Sequence, residues 1–130
     1  MRYLIDTDWA IHYLNAHPAI TRRLDELKDE GLALSVVSLA ELFEGVYAST
    51  DPPRNESQLQ GFLRGLEVIG VDVETCQVFG RERGKLRAAR KMIGDFDLLI
   101  GATALRHQLL LLSNNRRHFE AIEGLQIESR

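Results

Sequence analysis

Three carboxylates, Asp6, Glu41 and Asp97, each stand beside the end of an element that the sequence predicts. Brought together, they would suit a hard divalent cation. Magnesium prefers oxygen ligands and usually takes one or two protein carboxylates, with water and substrate phosphate completing its shell. A site that cleaves phosphodiesters uses such ions to lower the pKa of the attacking water and to neutralise charge on the reacting phosphate. A further polar cluster, Ser113-Asn114-Asn115, follows an apolar run. Each acid also has a purely structural explanation. Asp6 fits a cap for the helix after it, and Asp97 fits a cap for the helix containing Leu98 to Leu105. Ser38-Leu39-Ala40-Glu41 matches a capping box in which Glu41 reaches back to Ser38. No single acid decides; their convergence would.

The elements that must position them alternate along the chain. Tyr3-Leu4-Ile5 reads as a buried strand ending at Asp6, and a helix is predicted from about Trp9 to Asn15. His17-Pro18 breaks the pattern, which Ala19 to Glu30 resumes. Leu32 to Ser35 is a second strand, followed by a helix from Val37 to about Ala48. Asp51-Pro52-Pro53-Arg54-Asn55 reads as a loop. Gln58 to Leu66 is helical, Val68 to Val71 a third strand, and Glu74 to Lys91 a long helix with an exposed basic face. A helix from about Asp97 to His107, a strand from Leu109 to Leu112 and a weak one over Gln126-Ile127-Glu128 complete the order. Alternation of this kind predicts a mostly parallel sheet covered on both faces. Ligands of such sheets bind at the carboxyl ends of the strands, where all three acids are expected.

The 130 residues suit one domain with one core, and 45% hydrophobic with 27% charged residues is ordinary globular composition. Cys76 is the only cysteine, which excludes an intramolecular disulfide and a cysteine-based zinc cluster. The acid at position 6 interrupts any leader-like apolar stretch, and no apolar run is long enough to cross a bilayer. A cytoplasmic protein without a membrane segment is expected. The net charge of −3 argues weakly against a general nucleic-acid binder. Against it, Arg81, Arg83, Lys85, Arg87, Arg90 and Lys91 gather in one stretch with Glu82 as the sole acid. That stretch reads either as a backbone-binding surface or as a solvated helix face.

Read together, Tyr3-Leu4-Ile5-Asp6-Thr7-Asp8, Ser38-Leu39-Ala40-Glu41-Leu42, Asp97-Leu98-Leu99-Ile100-Gly101-Ala102-Thr103-Ala104 and Leu111-Leu112-Ser113-Asn114-Asn115 resemble the PIN-domain family. Within it the likeness is nearest to VapC-type toxins, and Arg117-His118-Phe119 through Glu128 looks like their usual ending. The resemblance runs over essentially the whole chain, residues 1–130. It implies a Rossmann-like α/β/α domain that cuts RNA endonucleolytically with magnesium or manganese. By match of motif, Asp6, Glu41 and Asp97 are the metal-binding carboxylates. The fourth acidic position falls at Asn115, a departure that leaves an uncharged, weaker ligand there. Ser113, Asp95 and Asp8 would support the site, and Arg81, Arg83, Lys85, Arg87, Arg116 and Arg117 would hold the RNA backbone. The resemblance also implies an antitoxin partner and a homodimer.

Other readings make distinct demands. A phosphoacceptor receiver domain needs a lysine after a late strand, where this chain has Arg116 and Arg117. A PIN-like domain without catalysis, serving only to bind, draws on Asn115 but must explain why three acids persist. A nuclease of RNA maturation is the third. The four histidines, His12, His17, His107 and His118, form no spaced metal pair and read as surface or packing residues. Trp9 reads as a core anchor or as a base-stacking platform. Gly101, Ala102 and Ala104 are expected to let their helix approach the sheet closely.

Overall fold

The computed structural model describes residues 2–130. Five strands, β1 (Tyr3–Ile5), β2 (Leu32–Ser35), β3 (Glu67–Ile69), β4 (Leu110–Leu112) and β5 (Ile127–Glu128), form one sheet in the order β3-β2-β1-β4-β5. Every pairing is parallel, so the mostly parallel sheet expected from the alternation is wholly parallel. The helices are α1 (Thr7–Leu14), α2 (Pro18–Leu27), α3 (Val36–Tyr47), α4 (Pro52–Leu63), α5 (Val73–Ala88), α6 (Asp95–His107) and α7 (Arg116–Phe119).

Register explains the layering. Leu4 aligns with Ala33 and Leu111, while Ile5 aligns with Leu34 and Leu112. Successive strand residues face opposite sides, so these two rows feed two different cores. Leu4, Ala33 and Leu111 pack with Leu86, Leu98, Ile100, Ala104 and Phe119, beneath α5, α6 and α7. Ile5, Leu34 and Leu112 pack with Trp9, Ile20, Leu24, Leu42, Val46 and Leu59, beneath α1 to α4. The result is the α/β/α sandwich. Arg23 of α2 forks onto the Glu128 carboxylate at 2.7 and 3.0 Å, tying the edge strand β5 to the helical layer. No helix among the described residues is long and apolar enough to cross a membrane.

The structure corrects several boundaries. Residues 51–55, read as a loop, open α4 instead: Asp51 is the N-cap and its carboxylate accepts from the Arg54 N–H at 3.3 Å. Pro52 and Pro53 occupy the first helical positions, where a missing N–H costs nothing. The break read at His17-Pro18 does separate α1 from α2, with His17 as the N-cap and Pro18 as the first residue of α2. The third strand lies slightly earlier than read, and α6 starts at Asp95, so Asp97 sits inside the first turn and is not its cap.

Gly101 also differs from expectation. A Cβ placed there would stand 2.6 Å from the Ile122 Cδ1 methyl, with Leu125 and Phe119 beyond it. The close approach is therefore to the segment that follows α7, not to the sheet. Gly101→Val is expected to destabilise the fold by about 1–3 kcal/mol through overpacking, measured by thermal denaturation. Gly101→Ala is milder, because the Ile122 methyl can turn aside.

Candidate active site

β1 is the central strand, flanked by β2 and β4. Its carboxyl end lies where the chain's strand order changes direction, the usual ligand crevice of an open parallel sheet. Asp6 leaves the sheet at this point, its N–H still bonded to the Leu112 carbonyl at 3.0 Å. Its side chain is only 2% exposed. Oδ1 accepts from the Thr7 N–H at 2.8 Å, so Asp6 is the N-cap of α1, the structural role its place before the helix suggested. Oδ2 accepts from the Ser113 hydroxyl at 2.7 Å, across the β1–β4 seam.

These partners are neutral, and the surroundings are hostile to charge. Burial first, and then the nearby Asp8 carboxylate, push Asp6 up to about 7, despite the hydrogen bonds from Ser113 and Thr7 that pull it back. Asp8 is itself used structurally: it accepts from the Trp9 N–H at 2.8 Å and the Asn114 N–H at 3.0 Å.

Glu41 arrives from α3. The capping-box explanation for it fails, because α3 begins at Val36 and is capped by Ser35, whose hydroxyl accepts from the Val37 N–H at 3.0 Å. Ser38 and Glu41 both turn to Thr7 instead. Thr7 Oγ1 lies 2.7 Å from Glu41 Oε1 and 2.9 Å from Ser38 Oγ. One threonine hydroxyl carries one proton, so it donates to the carboxylate and accepts from the serine. The residue after Asp6 thereby anchors Glu41.

Asp97 lies in the first turn of α6, where the helix dipole favours an anion. The far end of α6 meets the start of β4, where the Leu109 N–H reaches the Ala104 carbonyl at 2.8 Å. Its first turn is consequently at the opposite, carboxyl edge. There Asp97 Oδ2 meets His118 Nδ1 of α7 at 3.1 Å. His118 is the site residue that sequence reasoning missed. Its signals were its place one turn beyond Asn115 and within the Arg117-His118-Phe119 ending.

All three acids thus reach one edge of the sheet, but not one contact. Among the described residues no three Asp, Glu, His or Cys side chains close on a common point. The donor set nevertheless fits a hard cation: it is oxygen-rich, and at its centre lies a buried carboxylate with no positive partner to offset it. Asn115 is exposed, and its backbone N–H bonds to Ser113 Oγ at 3.0 Å.

The other candidates divide. Arg83 is turned inward, donating to the Ile93 carbonyl at 2.8 Å and to Asp95 at 2.7 Å, with its guanidinium 5.5 Å from the Phe79 ring. It and Asp95 fasten the loop before α6. Arg81 and Lys85 lean on the buried Glu82 carboxylate at 3.7 and 3.2 Å. Arg116 is bonded to the Ile127 carbonyl, Ser129 and Glu120. Arg87 and Arg117 are exposed and form no ion pair among the described residues. Trp9 is fully buried, its indole N–H donating to Asn114 Oδ1 at 2.9 Å, so it offers no face to a base. Phe96, 54% exposed beside Asp97, does.

Beside Glu41 an apolar groove of about 250 Å³ opens between α1, α3 and α4, lined by Ile11, Leu14, Leu42, Gly45 and Val46 among others.

A model of the PIN domain matches residues 3–125. The tRNA(fMet)-specific endonuclease VapC of Shigella flexneri is 30% identical over 98% of this chain and 97% of its own length. Ribonuclease VapC2 of Rickettsia felis is 34% identical over 99% and 98%. Among solved structures, VapBC2 from Rickettsia felis bound to a promoter DNA fragment superposes with a TM-score of 0.94, at 32% identity, covering 100% of this chain and 99% of that one. DNA-bound VapBC from Salmonella typhimurium gives 0.93 at 29% identity, covering 99% and 98%.

Proposed function

Because the chain belongs to the PIN-domain family, we propose that it is a divalent-metal-dependent endoribonuclease acting as the toxin of a toxin–antitoxin pair. The observation that carries the reading is the meeting at one sheet edge of acids from three distant segments: Asp6 after β1, Glu41 on α3 and Asp97 on α6. The ion is Mg2+ or Mn2+, held by these three carboxylates in one nuclease domain spanning residues 1–130. Bound there, it supplies a water of lowered pKa and offsets charge on the reacting phosphate.

The chain's own residues do the rest. Ser113 and the Thr7 N–H hold the Asp6 carboxylate in one orientation, leaving a lone pair free on each oxygen. Thr7 pins Glu41 by Oε1, so that Oε2 is left to hold a water and take its proton. Arg87 and Arg117 bind the RNA backbone, and Phe96 stacks on an unpaired base beside Asp97. Hydrolysis leaves a 5′-phosphate and a 3′-hydroxyl.

An antitoxin covers this edge in the resting pair. The apolar groove beside Glu41 takes its hydrophobic side chains, and a basic side chain of the same segment pairs with the acids. The free protein is a cytoplasmic homodimer.

The test is cleavage of a structured RNA mixture by antitoxin-free protein with magnesium, manganese or EDTA, beside Glu41→Gln and Asp97→Asn. Metal-dependent fragments with 5′-phosphate ends are expected from the wild type. Each variant should cut at least roughly 100-fold more slowly, since even residues that only support metal ligands cost 10- to 100-fold. Equal cutting by wild type and both variants, or cutting that persists in EDTA, would remove the assignment.

A further inference from the structure

We propose that His118 is a nitrogen ligand of the metal site and biases it toward Mn2+ over Mg2+; this rests on the metal-dependent reading above. Among the described residues, His118 is the one nitrogen-bearing side chain paired with any of the three acids, Nδ1 standing 3.1 Å from Asp97 Oδ2. Its side chain is 45% exposed, so the imidazole is at the rim of the site and open to an incoming ion. Its backbone is not free to wander. The next residue, Phe119, is fully buried, and the His118 N–H closes the turn onto the Asn115 carbonyl at 2.9 Å. Ile122, seated against Gly101, holds the segment that follows.

Nδ1 is the ring nitrogen that faces the Asp97 carboxylate, across 3.1 Å. A neutral imidazole has one N–H, and with that proton on Nε2 the same Nδ1 presents a lone pair. Ligation therefore uses the Nε2–H tautomer, with Asp97 and His118 turning from each other to a shared ion. Asn115, the weaker fourth ligand expected from the sequence, gives up that place to the residue one turn later.

The consequence lies in metal choice. A set of carboxylates and waters suits Mg2+ and Mn2+ alike, whereas imidazole is a donor that transition ions accept more readily than magnesium does. Replacing one oxygen by a nitrogen shifts the balance toward manganese without excluding magnesium.

The experiment is pulsed EPR on full-length protein loaded with Mn2+ alone, comparing wild type with His118→Gln and His118→Ala. Mg2+ competition is measured on the same samples, and thermal melts establish that the variants are folded. A 14N coupling to bound manganese is expected in the wild type and absent from both variants. The preference for Mn2+ over Mg2+ should fall about tenfold in the variants. Manganese bound without a nitrogen coupling, or a coupling that survives in the variants, overturns the His118 assignment and leaves the nuclease reading standing. Failure of wild type to bind manganese at all overturns both.

Discussion

Asp6→Asn will abolish RNA cutting and, at the same time, make the metal-free protein more stable above pH 7. Both effects follow from one buried carboxylate. Asn preserves the local bonding: its carbonyl accepts from the Thr7 N–H, and its amide donates to Ser113 Oγ. What it removes is charge, and with it one of the three carboxylates proposed to hold the ion. The loss of activity should be at least roughly 100-fold.

The gain in stability comes from the cost of that charge in the folded state. Asp6 is held up at about 7 by burial and by Asp8, while an unfolded aspartate titrates near 3.9. Its contribution to folding is therefore fully present below about pH 4, declines as pH rises toward 7, and is gone above it. Thermal melts in EDTA should accordingly separate with pH. The variant and wild type should be alike near pH 4, and at pH 8 the variant should melt at least about 5 °C higher, on the order of 1–2 kcal/mol for a domain this size. Magnesium or manganese should then raise the wild type selectively, by binding only the folded form. A variant that melts below wild type at pH 8 without metal would mean that the Asp6 carboxylate is not held at a cost.

Trp9→Ala should remove most of the protein's stability. The indole is fully buried between Ile5 and Leu112 of the sheet and the helices above it, and truncating such a residue costs about 3–5 kcal/mol. Against a typical total of about 5–15 kcal/mol, that is a large share. The indole N–H is also one of three groups that converge on the Asn114 side chain. Asn114 Oδ1 accepts from Trp9 and from the Arg130 N–H, and its amide donates to the Arg130 carbonyl. A drop on the order of 15 °C in melting temperature is expected for Trp9→Ala. Trp9→Phe keeps most of the ring burial and loses one hydrogen bond, costing about 1–2 kcal/mol. Circular dichroism melts check both. If Trp9→Ala costs no more than Trp9→Phe, the indole is not the anchor that its burial implies.

Patterns that obey a single period were legible in the sequence. The run Tyr3-Leu4-Ile5 and its stop at Asp6 placed the central strand, and the alternation of elements led to the parallel sheet. What failed was wherever two rules compete for the same residues. Pro52-Pro53 signals a loop by composition but opens α4, because the first turn of a helix tolerates proline. Ser38 and Glu41 have the spacing of a capping box. The chain reserves that task for Ser35 and spends the pair on Thr7, a contact across 31 to 34 residues that local spacing cannot reveal. Gly101 was recognised as a small residue in a close contact, but its neighbour comes from the segment after α7, whose placement no periodicity encodes. His118 escaped for the same reason. Its partner lies on another helix, and a lone histidine on a short polar segment has no signature of its own. Arg83 looked like its basic neighbours and differs only in being turned inward.

The position of β1 has a bearing on how the protein is made. It precedes the other four strands in chain order, yet it lies in the middle of the sheet, and Tyr3, Leu4 and Ile5 must wait for Leu110, Leu111 and Leu112 before one whole side of it is paired. Ser113, which orients Asp6, and His118, which touches Asp97, come later still. A nascent chain can therefore carry Asp6, Glu41 and much of α6 outside the exit tunnel without a working site. Under the function proposed above, this order keeps the unfinished chain inactive toward RNA until β4 and α7 are in place.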